Sequence, residues 1–468
     1  MSLYAAIIIL SGMFYLLKDT NSSKTDNLYI DDVSNTNKTK IKYIHEPTSV
    51  NDLFRILKKI KGEKISIFGQ KHSMGGQIII KNGHAINMKN INKIKVNLKN
   101  ETVTVGAGIL WSGVIKFLNK YGYSPMIVQS YCSFSVGGSI SVNAHGIISD
   151  KVLGESIIEL KIIDPLNNNK TCSRKLNSEL FSLIIGGYGL FGVIYEVTLK
   201  IIKNVKLNLT TLKLNTNNFV STYIKIFKNP LVVVKLARID LLSFDNINLY
   251  IFLKNINEQH VVSKLSDNPH EMSKTSQLLY KWIFPTKIGR LFRSIDIKNK
   301  TTLNELLYES AKPLCELYSP LIKLTVTHIL QEYFVPIDKF NSWMLRLKEY
   351  FKNNKLEHCN LLNITIRFVE KDNISFLKYA TRPYMFAFVF YFRINSRGET
   401  ELKKINQDLI NYTLKLNGTF YLPYKIHYTP NQLITAYPNI KQFIKYKQLN
   451  DPTNRFSNTW FEWLIKKN

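Results

Sequence analysis

The amino-acid sequence predicts an α+β fold, and three observations predict it. From about residue 41 to 202, short strand-like runs alternate with helical spacings. Three glycine-rich stretches punctuate that half. From about residue 203 to 418, longer strands and amphipathic helices take over, as an antiparallel sheet would require.

The chain has 468 residues, enough for two or three domains around a large core. Its 45% apolar and 21% charged residues are ordinary for a globular protein. A formal net charge of +29 is not ordinary, and a nucleic acid or an anionic membrane is the sharp reading. The lysines are scattered rather than massed, and no helix-turn-helix, zinc-finger or RNA-recognition signature accompanies them. The charge therefore reads as compositional, in a chain rich in Lys, Asn and Ile, and no nucleic-acid partner is expected. Cys132, Cys172, Cys315 and Cys359 are far apart with no CxxC pair, which speaks against a metal site.

Taken in order, the elements begin with an apolar run at residues 3–17, which is 15 residues long. That is short for a full span, for which about 18 or more are usual. It reads as an uncleaved membrane anchor, with a cleaved secretory signal or a buried helix as alternatives. Residues 19–37 are rich in Ser, Asn, Asp and Thr and read as a linker. Residues 64–68 form a strand that runs into Gly69-Gln70-Lys71-His72-Ser73-Met74-Gly75-Gly76-Gln77. Glycine tolerates the positive φ angles by which a loop turns its amides around an anion.

Residues 101–105 alternate as a half-buried strand, and Trp111, Val114, Ile115 and Leu118 recur at helical spacing before Gly122. The second glycine-rich stretch reads as a loop. It runs Val136-Gly137-Gly138-Ser139-Ile140-Ser141-Val142-Asn143-Ala144-His145-Gly146. A strand at residues 156–164 closes on Asp164-Pro165, and Asn177-Ser178 can cap a short helix holding Leu180, Phe181 and Ile184. The third stretch contains Gly187, Gly189 and Gly192, which spell GxGxxG. A dinucleotide fingerprint needs a strand before that motif and a helix after it. Here a helix precedes and a strand follows, so the match is rejected. In the second half, residues 325–336, 363–369 and 387–393 read as strands, with Thr365 and Arg367 on one face and Ile364, Ile366 and Phe368 on the other. Thr429-Pro430-Asn431-Gln432 is a capping box with Pro430 at the first helical position. Asp451-Pro452 ends that helical stretch.

In order, spacing and content, the three glycine-rich stretches resemble the vanillyl-alcohol oxidase/p-cresol methylhydroxylase group of flavoproteins. The resemblance is strongest over about residues 41–202 and resumes in the last fifty or so. The pattern is most similar to the branch of alditol and aldonolactone oxidases and decaprenylphosphoryl-ribose oxidase. It implies an FAD-binding PCMH-type fold of two subdomains with an antiparallel-sheet substrate (cap) domain. On that reading residues 1–37 are anchor and linker, 38–202 the FAD-binding domain, 203–418 the cap, and 419–468 a segment returning to the FAD-binding domain.

The resemblance also implies FAD in an extended pose, its pyrophosphate held by backbone amides of the first two stretches and its adenine side lined by the third with Val193 and Ile194. His72 matches the histidine that many relatives bond to the flavin 8α-methyl carbon, which makes covalent FAD an expectation. A second bond through cysteine is not expected, because Cys132 is out of register. His145 is either a hydrogen-bond donor facing flavin or substrate, or a turn residue satisfying local carbonyls.

Oxidising an alcohol requires removal of the hydroxyl proton and a cation beside the developing alkoxide. Arg367 and Lys425 suit that task, with Tyr424 competing for the position of Lys425. Glu332 matches a polar substrate-pocket residue of the ribose oxidase. The expected activity is FAD-dependent oxidation of a CH–OH group on a sugar, sugar alcohol or aldonolactone, carbohydrate-like or lipid-linked, with O2 or another acceptor reoxidising the flavin. A sterol Δ24-reductase-type C=C reductase and a non-catalytic flavin-fold binding protein are the alternatives. Residues 278–295 mix aromatics with Lys281, Lys287, Arg290 and Arg293, which would suit a membrane surface or a solvated cap helix.

Overall fold

A computed structural model describes residues 28–267, 300–309 and 326–467. The apolar run at 3–17, the stretch at 278–295 and Cys315 lie outside the described residues. No helix among the described residues is long and apolar enough to cross a membrane.

Besides a two-stranded pair within residues 29–40, the first half holds two larger sheets. A three-stranded parallel sheet has the order Tyr43–His45, His84–Asn87, Ile65–Phe68. The helix Val50–Lys59 connects two of these strands, buries Leu53 and Leu57, and starts where the Ser49 hydroxyl accepts the Asp52 amide. A six-stranded antiparallel sheet centres on Val193–Lys203, flanked by Ile157–Ile163 and Thr102–Gly106. Alternation along these strands sends Val103, Val105, Leu160, Ile162, Val197 and Leu199 into one core with Trp111, Val114, Ile115 and Leu118 of the helix Trp111–Asn119.

The second half builds an eight-stranded antiparallel sheet. Its centre pairs Cys359–Glu370 with Tyr384–Asn395, and Tyr384–Asn395 with Val326–Pro336. Phe386, Phe388, Phe390 and Phe392 point from the central strand towards one layer of helices, where Phe219, Phe340 and Trp343 meet them. Residues of the opposite pleat face the loops of the first half. The chain then returns. Arg455 and Ser457 bond the main chain of Ile65, so residues 455–457 line the free edge of the parallel sheet. Tyr188 packs against Trp460, and the Asn458 side chain donates to the Tyr188 carbonyl.

Three expectations change. The second glycine-rich stretch is not all loop, because Val136–Ser141 is a short helix. Asn177 precedes the helix Ser178–Ile184 without capping it: its φ is +49°, and its side chain donates to the Thr171 carbonyl. Residues 28–37 are not a free linker. Tyr29–Ile30 pairs with Thr39–Lys40, and Ile30, Asp32 and Ser34 are buried. The polar composition that suggests a linker here makes an internally hydrogen-bonded turn instead. The capping box at Thr429 forms as read, with Pro430 opening the helix Pro430–Ala436.

Candidate active site

The strand Ile65–Phe68 delivers its next residue, Gly69, against Ser135, just ahead of the helix Val136–Ser141. A Cβ on Gly69 would lie 2.1 Å from the Ser135 Oγ, so any larger residue there would have to turn the Ser135 side chain aside. Lys71 follows with φ +59°, a left-handed turn that places His72 beside Tyr131 and Phe134, with ring centroids 5.1 and 4.4 Å away. Burial pushes the His72 imidazole down from its usual range to about 3, so it is neutral at neutral pH. The rest of the loop is clasped by the C-terminal region. The Met74 amide donates to the Pro423 carbonyl (2.7 Å), and the Gln77 carboxamide donates to the Leu422 carbonyl (2.8 Å).

Facing this loop is the inner pleat of the eight-stranded sheet. Its register sets three rows across neighbouring strands: Leu330, Tyr391 and Asn363; Glu332, Val389 and Thr365; Phe334, Ala387 and Arg367. A cavity of about 230 Å³ lies between loop and sheet, lined by His72, Tyr131, His145, Glu332, Thr365, Arg367, Tyr391, Tyr421 and Tyr424 among others. A second cavity of about 70 Å³ continues it, sharing Gly69, Ser73, Ile78, Ser135, Gly138 and Val142. That second cavity reaches Gln77, Gly137, Ser141, Gly189, Gly192 and Ile194, so one groove touches all three glycine-rich stretches.

The polar groups converge at the sheet end. Glu332, 2% exposed, meets the His145 Nε2 at 2.5 Å. Arg367 donates to the Ser130 hydroxyl at 2.7 Å. Burial lowers the Arg367 guanidinium to about 10, an effect that the Glu332 carboxylate opposes, and it stays charged at neutral pH. His145 Nδ1 and Gln129 Oε1 are buried with no hydrogen-bond partner among the described residues, although both residues line the cavity. Buried polar atoms left unpaired in a cavity wall are what a bound ligand would satisfy. A long groove, a glycine cradle and unpaired polar atoms fit an extended dinucleotide.

The structure brings some of the residues read from sequence to the groove and not others. Gly69, Lys71, His72, Ser73, Met74, Gln77, Gly137, Gly138, Ser141, His145, Gly189, Gly192 and Ile194 line it. Gly75, Gly76, Val136, Asn143, Gly146, Gly187 and Val193 do not line it. Val136 and Val193 are core residues, and Asn143 bonds Asp372 and the Gly154 amide. Gly75 sits under the Tyr424 carbonyl, Gly76 against Thr459, Gly146 against Ile127 and Gly187 against the Leu183 carbonyl. Of the catalytic candidates, Glu332, Arg367 and Tyr424 line the cavity. Lys425 does not line it. Its ammonium bonds Thr36 and lies 3.6 Å from Glu399. Ser130, Tyr131, Phe134, Asn363 and Tyr391 line the cavity without being anticipated, since only the pairing of distant segments brings them there.

Comparison with known proteins fits this geometry. A family described as an FAD binding domain matches residues 41–172, and one described as D-arabinono-1,4-lactone oxidase matches residues 316–464. The chain belongs to the vanillyl-alcohol oxidase/p-cresol methylhydroxylase-type family of FAD-linked oxidases. L-gulonolactone oxidase of Bos taurus is 22% identical over 436 residues, 89% of this flavoprotein and 93% of that one. Cytokinin dehydrogenase 2 of Arabidopsis thaliana is 34% identical over 154 residues, 32% of this chain and 31% of that one. The mitochondrial L-galactono-1,4-lactone dehydrogenase of Arabidopsis thaliana is 29% identical over 171 residues, 36% of this chain and 28% of that one. The flavoprotein thus matches about a third of the length of the cytokinin dehydrogenases and nearly all of the gulonolactone oxidase. The first match covers the loop 69–77 and the helix Val136–Ser141, and the second covers Glu332, Arg367 and Tyr424.

Proposed function

We propose that the protein oxidises a CH–OH group of an aldonolactone, sugar or sugar alcohol, with O2 or another acceptor completing turnover. The observation that carries this is the Glu332–His145 pair beside Arg367, facing the His72 loop across one cavity. Bound FAD supplies the two-electron acceptor for hydride. The protein supplies the rest. The Glu332–His145 pair takes the hydroxyl proton, and the Arg367 guanidinium stabilises the charge that develops on the oxygen. Asn363, Thr365 and Tyr391 offer donors and acceptors suited to further hydroxyl groups. Lys425 serves to hold residue Thr36 rather than substrate.

The lactone-type reading is favoured over amine oxidation by where the similarities fall. The cytokinin dehydrogenases match only about a third of this chain, whereas the gulonolactone oxidase spans nearly all of it, including the sheet that faces the cavity. We assign His72 as the site of covalent FAD attachment, since its neutral imidazole is nucleophilic and lines the cavity. Acid precipitation should carry the flavin into the pellet, and His72→Ala should release it; flavin wholly in the supernatant would rule out the bond. Membrane attachment through residues 3–17 is a further part of this reading, to be tested by detergent dependence of the full chain. The decisive assay is anaerobic. Flavin bleaching by aldonolactones or alditols, and not by isoprenoid adenines, is expected; the reverse preference would overturn the assignment.

A further inference from the structure

Lys71 adopts a backbone conformation that costs an ordinary L-residue on the order of 1 kcal/mol or more. Such a turn persists only when its surroundings hold it. The holders are in residues 30–37. The Val33 amide donates to the Lys71 carbonyl at 3.0 Å, and the Asn37 carboxamide donates to the Met74 carbonyl at 2.8 Å. These two carbonyls bracket His72 and Ser73. Residues 30–37 are therefore a strap that fixes the loop on both sides of the imidazole.

The strap has one hub. The Asp32 carboxylate, 3% exposed, accepts the Ser34 amide (2.8 Å), the Ser34 hydroxyl (2.5 Å) and the Asn37 carboxamide (2.5 Å). The Asn37 amide nitrogen thus donates to Asp32 and to the Met74 carbonyl at once, and the carboxylate aims it. Two contacts from the second half tie the strap down: Thr327 donates to the Ser34 carbonyl, and Lys425 bonds Thr36.

We infer that Asp32 is a positioning residue for the flavin loop: by ordering Val33 and Asn37 it sets the main chain on either side of His72. The inference rests on the reading that the cavity beside His72 holds FAD. Its chemistry is mechanical. A carboxylate accepts at two oxygens, and an amide in its place would turn a donor towards the Asn37 donor. Losing a hydrogen bond to a charged group then frees the loop to leave its strained turn.

The test uses the full-length protein with Asp32→Asn and, separately, Asn37→Ala. FAD retention, the shape of the flavin absorption band and the flavin midpoint potential are measured in each. Glu401→Ala, in the helix Gly398–Lys415 on the other side of the sheet, is the control for a general loss of thermal stability. Asp32→Asn is expected to broaden the flavin band, to shift the potential and, in the His72→Ala background where FAD can dissociate, to weaken FAD binding by about 10- to 100-fold. Asn37→Ala should do the same, and the double variant should add little more. Glu401→Ala should leave band and potential unchanged. Wild-type values of all three quantities in both strap variants would overturn the inference while leaving the proposed function standing. Should Asp32→Asn not fold, the Asn37→Ala result decides alone. Wild-type protein that takes up no FAD when supplied with it would instead sink the proposed function, and this inference with it.

Discussion

Arg367 and Glu332 are two opposite charges placed in a protein wall, and each is held by a partner far away in sequence. Ser130 accepts from Arg367 across 237 positions, and His145 meets Glu332 across 187. Arg367→Met should lower kcat by about 10²- to 10³-fold, the usual cost of one preorganised charge at a reacting oxygen, with little change in the flavin spectrum. Glu332→Gln should lower kcat by about 10²- to 10⁴-fold if the pair takes the proton; an unchanged kcat would return Glu332 to a purely structural role. His72 adds a pH signature to the flavin-free protein. Its usual value is 6.5, and burial takes it to about 3. The unfolded chain therefore binds a proton in that window that the folded chain refuses, so this group's stability is complete above the window and lost as pH falls through it. The loss runs at up to about 1.4 kcal/mol per pH unit. Urea midpoints of His72→Asn should accordingly lose less than wild type on acidification, and parallel curves would show a solvated imidazole. The alternation of residues 363–369 made the shared face of Thr365 and Arg367 legible in the sequence. The partners of Arg367 and Glu332 were not legible, because they depend on strand register and on which layer faces which.

The helices opening at Trp111 and Thr429 carry their own local signals and were read correctly, whereas the cap at Asn177, the short helix inside the second glycine-rich stretch and the strap at 30–37 were not. The capping box at Thr429 and the helical spacing from Trp111 are properties of adjacent residues, and the structure repeats them. The strap at 30–37 has no periodicity and no apolar run, so nothing local distinguishes it from a linker. Its order comes from Asp32 and from the loop that it holds. The helix Ile440–Asn450 shows the same dependence on a buried polar hub. Lys447, fully buried, pairs with Asp451 just past the helix end, and Asp451 also accepts the amides of Arg455 (3.0 Å) and Phe456 (2.9 Å). That hub steers residues 455–457 onto the edge of Ile65–Phe68, the strand that leads to Gly69. Burial lowers the Lys447 ammonium to about 8, against the pull of Asp451. Asp451→Ala leaves that ammonium without its carboxylate and should cost about 3–5 kcal/mol in urea unfolding. Replacing both residues with apolar side chains should cost less than Asp451→Ala alone; an equal cost would mean that the amide contacts, not the ion pair, carry the effect.

The order of the molecule as a whole follows from the groove being shared. Its walls come from residues 67–78, 129–145, 188–194, 330–332, 363–367, 389–391 and 421–424, with Met88 and Ala107, so neither half of the chain completes it alone. The C-terminal return couples the halves further, since residues 455–460 leave the helices of the second half and bond Ile65, Ile79 and Tyr188 of the first. The α+β class and the roofing sheet were legible because strand length and alternation are written along the chain. The coupling was not, because it lies in pairings between segments hundreds of residues apart. Among the described residues, three fully buried tryptophans sample the parts: Trp111 in the first half, Trp343 on the outer side of the sheet and Trp460 in the returning segment. In fluorotryptophan-labelled, flavin-free protein, their resonances should lose native intensity at one common urea midpoint, as a single cooperative unit does. In the His72→Ala protein, where FAD binds reversibly, free FAD at about 100 times its dissociation constant should then move all three midpoints together, by about 2.7 kcal/mol of stability. If Trp343 melted separately and ignored FAD, the sheet would be an independent domain and the cavity would not be a shared binding site.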